Sequence, residues 1–137
     1  MESVDRRDTP GWMHRSANKK IIGVLDDDPS ALNSIGVLLA ALEFEVVLFS
    51  SAEELLRSDR ARTIDCLLLD IQLGSMSGID LRRELKGPYP TLPVVFITGL
   101  DDQITCQRAH DVGCAGFLRK PFDVALLEET LRRATRV

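Results

Sequence analysis

The sequence predicts an α/β protein, a five-stranded parallel sheet with helices on both faces, and three observations carry that prediction. Three short runs are apolar on both faces, as strands covered by helices on either side must be: Ile21-Ile22-Gly23-Val24-Leu25, Cys66-Leu67-Leu68-Leu69 and Val94-Val95-Phe96-Ile97. Each run ends abruptly on polar residues, which are Asp26 and Asp27, Asp70, and Thr98 in turn. Strand and helix signals alternate five times between Lys19 and Arg136. Parallel crossovers need connections of this length and share one hand.

The remaining elements fall between these anchors. Phe44 to Phe49 carries Glu45 and suits a strand at a sheet edge, and Ala115 to Leu118 is a short last strand bounded by Gly113 and Pro121. Pro29 and Ser30 open the first helix, where Leu32, Ile35, Leu39 and Leu42 share one face. Ser51 followed by Glu54 is a capping-box signature for the second helix, with Leu55 and Leu56 as its apolar pair. The third is expected from about Ile79 to Lys86, stopped by Gly87-Pro88. The fourth, roughly Asp102 to Val112, has few apolar anchors (Ile104, Ala109 and Val112), and the fifth follows Asp123 and is expected to bury Val124, Leu127 and Leu131.

Length and charge narrow the class. A chain of 137 residues fits one domain with a sizeable core. Hydrophobic content of 45% and charged content of 28% are those of a globular protein, and the net charge of −4 gives no sign of nucleic acid as a partner. Basic residues outnumber acidic ones in the first twenty positions, but no apolar run follows them, so the start reads as a solvated leader and not as a signal peptide. No stretch approaches the length of a membrane span. Cys66, Cys106 and Cys114 are an odd count with no CxxC pairing, which reads as reduced thiols in the cytoplasm.

Sheets of this kind bind ligands beyond the carboxyl ends of their strands, near a switch point in strand order. That rule selects Asp26, Asp27, Asp70, Thr98 and the segment holding Lys120. Carboxylates crowded at one rim repel unless a cation sits among them. Oxygen donors without His or Cys suit a hard divalent ion such as Mg²⁺. Lys120 supplies a point charge against phosphate and Thr98 a hydroxyl donor. A carboxylate nucleophile with a metal, a lysine and a hydroxyl is the equipment for forming an aspartyl-phosphate.

Four motifs, in order and at the right separation, resemble the receiver domains of bacterial two-component response regulators. They are Val24-Leu25-Asp26-Asp27-Asp28-Pro29, Leu69-Asp70-Ile71-Gln72-Leu73 with Met76-Ser77-Gly78, Phe96-Ile97-Thr98-Gly99, and Lys120-Pro121-Phe122. The resemblance covers Lys19 to about Arg136 and divides the chain into a leader (1–18) and a receiver domain (19–137). It implies a flavodoxin-like strand order, 2-1-3-4-5. It also implies that Asp70 is the phosphoacceptor, and that Mg²⁺ or Mn²⁺ is held by Asp27 directly, by Asp26 through water, by Asp70, and by the Gln72 main-chain carbonyl. Thr98 and Lys120 would contact the phosphoryl oxygens, Phe117 would swing inward when Thr98 moves, and Lys120-Pro121 is expected to be cis. Implied partners are a sensor histidine kinase or phosphotransfer protein. The output would be a downstream protein or a second copy, docked on the face of the fourth helix, fifth strand and fifth helix, with no direct nucleic-acid or membrane contact. The chain departs from the family at Gly74, where the loop after the phosphoacceptor often has proline, and glycine there leaves that loop less pre-set.

Blander readings apply to single residues. Asp28 is expected to face solvent or cap the first helix, Phe117 reads equally as core, and Trp12 and His14 receive no role. An aspartyl-phosphate enzyme would need a second acid/base carboxylate and a cap, and neither a DxD-type motif nor the length for a cap is present. A dinucleotide site fails because Asp26-Asp27-Asp28 stands where a glycine-rich turn belongs. A binding module without phosphorylation is opposed by the intact acidic, threonine and lysine set. No output domain is recognisable after the fifth helix, so the expectation is a stand-alone receiver or the receiver part of a longer product.

Overall fold

The computed structural model describes residues 19–100 and 102–136, so the expectations for the leader, with Trp12 and His14, lie outside the described residues. Five parallel strands, β1 (Ile21–Leu25), β2 (Glu45–Phe49), β3 (Cys66–Asp70), β4 (Val94–Thr98) and β5 (Gly116–Arg119), form one sheet in the order β2-β1-β3-β4-β5. The helices are α1 (Pro29–Ala41), α2 (Ala52–Arg57), α3 (Gly78–Leu85), α4 (Gln103–Val112) and α5 (Val124–Ala134). A 3-10 turn at Asp59–Arg62, not foreseen from the sequence, links α2 to β3. The strand with Glu45 stands at an edge, as its polarity requires.

Each helix starts where a side chain can take over an orphan amide. Asp28 caps α1 by accepting from the Ser30 N–H at 3.1 Å, with Pro29 in the first turn where no N–H is needed. Ser51 accepts from the Glu54 N–H at 3.0 Å, but Glu54 reaches back to the N–H of Ser50 at 2.7 Å instead of closing the box on Ser51. Ser77, Asp102 and Asp123 cap α3, α4 and α5 in the same way.

Alternation along the strands builds two cores. Leu67, Leu69, Val94 and Phe96 face α2, α3 and α4, whereas Cys66, Leu68, Val95 and Ile97 face α1 and α5. Burial of the Cys66 thiol pushes its pKa up to about 12, so it behaves as a small hydrophobe. The expected burial of Val124, the first residue of α5, fails, and the apolar Leu56 and Ile104 are exposed as well, Ile104 at 73%. Leu56 and Ile104 lie off the stripe of their helices that meets the sheet. Leu55, Leu127 and Leu131 carry the burial instead. Leu42 caps α1 and is only half-buried.

Candidate functional site

Strand register brings the predicted residues to one rim. Leu25 pairs with Leu69, Asp70 with Ile97, and Thr98 with Arg119, so β1, β3, β4 and β5 release their loops side by side. Asp26 and Asp70 continue the alternation of the α1/α5 face, while Thr98 continues that of the α3/α4 face. Lys120 follows β5 directly; its N–H donates to the Thr98 carbonyl at 2.8 Å, and its bond to Pro121 is cis.

The charged centre is Lys120 between two carboxylates. Its Nζ donates to Asp70 Oδ2 at 2.9 Å and stands 3.6 Å from Asp26 Oδ2. The other oxygens are held by backbone: Asp70 Oδ1 accepts from the Gln72 N–H at 2.8 Å and Asp26 Oδ1 from the Asp28 N–H at 2.9 Å. Asp26 and Asp70 are both buried. Asp26 Oδ2 has no hydrogen-bond partner, a state a buried oxygen seldom occupies. Burial pushes the Asp26 carboxyl above the ordinary range; the Asp28 N–H works against this, and the nearby charge of Asp70 adds to it. Burial also works against the Lys120 ammonium, but the hydrogen bond and charge of Asp70, with the charge of Asp26, outweigh it and hold the lysine above its usual value.

The flanking residues sit around this centre. Thr98 is fully buried, and its hydroxyl oxygen accepts from the Leu100 N–H at 3.0 Å. Asp27 is exposed at the rim. A Cβ at Gly74 would stand 2.9 Å from Asp27 Oδ2, so the departure from proline lets the loop after Asp70 pass close to that carboxylate. A Cβ at Gly78 would meet the Asp70 carbonyl oxygen at 2.5 Å, which requires glycine where α3 begins against β3. Gln72 bridges to Ser77 across this loop. Phe117 is half-buried on β5, opposite Phe96, with the ring of His110 on α4 6.4 Å away. Neither the Leu100 amide nor the His110 ring has a sequence signal, since each acts through a contact that only the folded chain creates.

Among the described residues, no three His, Cys, Asp or Glu side chains form a ready-made metal cage. An all-oxygen rim in which Asp26 Oδ2 accepts no hydrogen bond nevertheless fits a hard divalent ion, because Mg²⁺ takes one or two carboxylates and keeps waters and phosphate oxygens for the rest.

A parallel sheet of this order, with an acidic rim and a lysine beside a strand-end aspartate, defines an α/β domain whose ligand site lies at the carboxyl ends of its strands. The family model for the response regulator receiver domain matches residues 22–132, and the chain belongs to that family. The family is a signalling one and not a catalytic enzyme family. The response regulator TodT of Pseudomonas putida is 32% identical over 127 residues, covering 93% of this chain and 56% of TodT. Nodulation protein W of Bradyrhizobium diazoefficiens is 37% identical over 127 residues, covering 92% of this chain and 56% of that protein. A response regulator receiver domain from Clostridium thermocellum superposes with a TM-score of 0.79 at 31% identity, covering 85% of this chain and 94% of that one. The chain thus spans about half the length of these curated relatives. It is a receiver domain of the two-component response-regulator type. No helix among the described residues is long and apolar enough to cross a membrane.

Proposed function

We propose that this receiver takes a phosphoryl group onto Asp70 from a phosphohistidine of a sensor kinase or phosphotransfer protein, and that the modification changes its protein contacts. The observation that carries the reading is the Lys120 ammonium 2.9 Å from Asp70 Oδ2, with Asp26 Oδ2, which accepts no hydrogen bond, 3.6 Å away. An Asp70 carboxylate oxygen forms the bond to phosphorus while the bond from phosphorus to the donor imidazole nitrogen breaks. The leaving imidazole keeps that electron pair and takes a proton from solvent. Lys120 transfers its hydrogen bond from Asp70 to a phosphoryl oxygen, so the charge that develops there meets a fixed cation. The Thr98 hydroxyl turns to donate to a second phosphoryl oxygen. Asp26, Asp27, Asp70 and the Gln72 carbonyl are the groups that would hold Mg²⁺ or Mn²⁺. A bound ion supplies charge neutralisation for the phosphoryl oxygens.

Movement of Thr98 opens room on the α3/α4 face, into which Phe117 turns. The α4–β5–α5 surface then changes shape and binds a downstream protein or a second copy. Residues 19–137 form the receiver unit, the setting is the cytoplasm, and the only chemistry is gain and loss of the domain's own phosphate. The test is intact mass after incubation of the full chain with acetyl phosphate and Mg²⁺. Wild type and Asp28→Asn should gain one phosphoryl group, and Asp70→Asn none. Normal labelling of Asp70→Asn would overturn the assignment.

A further inference from the structure

His110 lies in the last turn of α4, and its ring is stacked on that of Phe117, with centroids 6.4 Å apart and planes inclined by 21°. Aromatic pairs at this separation attract each other beyond the area they bury. His110 is exposed and Phe117 half-buried, so the histidine covers the phenylalanine from the solvent side. The end of α4 that carries His110 is fixed. Ala109 and Val112 are buried, and Arg82, buried on α3, donates from Nε to the Gly113 carbonyl at 3.1 Å. Toward the other end Ile104 is turned to solvent. A ring on the anchored end of a loosely held helix is well placed to hold its neighbour.

On the reading proposed above, Phe117 has a second position, beside Thr98. It pairs with Phe96, two residues before Thr98 on β4, and both phenylalanines belong to the core on the α3/α4 face. Room opened by a displaced Thr98 therefore lies on the side of the sheet that Phe117 already occupies. The ring cannot sit against His110 and beside Thr98 at once, so the contact in this structure opposes the inward position.

We propose that His110 is a positioning residue for the switch: its ring latches Phe117 outward and sets the resting balance between the two states. The proposal rests on the reading of Phe117 as the ring that turns inward when Asp70 is phosphorylated. Loss of the stack should raise the resting population of the inward state by about two- to tenfold, the size of an aromatic pair's attraction.

The test uses the full chain without phosphodonor and reads amide exchange from Gly99 to Phe117 together with the ring resonances of Phe117. His110→Ala should move both toward the phosphorylated pattern. His110→Phe, which keeps an aromatic ring, should restore the resting pattern, a rescue that a merely structural role for the imidazole does not give. His110→Ala should add nothing when Phe117 is already alanine. Resting behaviour in His110→Ala, or equal shifts in His110→Ala and His110→Phe, would overturn the latch. A wild type that gains no phosphoryl mass from acetyl phosphate overturns the underlying reading of the site, and a wild type that does gain it leaves the latch to be judged on the variants alone.

Discussion

Two helices flank the last strand, and they are held in different ways. α5 lies on the sheet with Leu127 and Leu131 fully buried, and it is tied at its far end to the opposite edge of the domain. Arg132 donates to the Leu42 carbonyl at 2.9 Å, places its guanidinium 4.7 Å from the centre of the Phe44 ring, and pairs with Glu128 one turn back. At Gly116 the helix comes so close that an added Cβ would stand 2.5 Å from Thr130 Cγ2. α4 has none of this. Its burial rests on Ala109 and Val112, and its end is held by the bond from Arg82 to the Gly113 carbonyl and by the stack of His110 on Phe117. Helices with few buried apolar contacts open at low free energy. The two sides of β5 are thus a fixed support and a movable flap, and the flap follows directly from Thr98 and Gly99, where phosphate is expected to be felt.

The contrast can be broken most forcefully in the core. Leu131→Ala should cost about 2–5 kcal/mol, as truncation of a fully buried leucine does, while the same change at Ile104 should fall within about 0.5 kcal/mol. Urea unfolding midpoints of the two variants check this, and equal losses would erase the distinction. Smaller effects sharpen it. Gly116→Ala forces Thr130 aside, although Thr130 is held by its hydroxyl bond to the Leu126 carbonyl, and should cost about 1–3 kcal/mol by overpacking. Arg132→Ala removes an exposed side chain's bond to a carbonyl and its contact with one ring, and should cost about 1 kcal/mol. Both should show in thermal melts, and both should loosen exchange in α5 more than in α4.

The sequence made the sheet legible because strands covered on both faces have no polar alternation to hide them, and because each ends on a residue no buried strand keeps without a reason. Asp26, Asp70 and Thr98 stand out on that ground alone, and the caps at Ser51 and Asp28 are legible from side chains that can accept from a first-turn amide. What stayed hidden depends on how a helix is rolled against the sheet. Val124 and Leu127 share a stripe by spacing, yet only Leu127 meets the core, while Val124, the first residue of α5, is exposed. The pairing of Lys120 with Asp70 joins residues 50 positions apart, and local pattern says nothing about such a distance. The stack of His110 on Phe117 needs the turn at Gly113, whose left-handed backbone (φ 89°) reverses the chain between them.

The central claim is that phosphate on Asp70 is transmitted through Thr98 to the loosely held side of β5. Amide exchange across the whole chain, with and without acetyl phosphate and Mg²⁺, tests it most directly in wild type and Asp70→Asn. Phosphorylation is expected to change exchange from Gly99 to Phe117 in wild type, to spare α1 and the body of α5, and to change nothing in Asp70→Asn. Changes confined to α1, or the same changes in Asp70→Asn, would contradict the account.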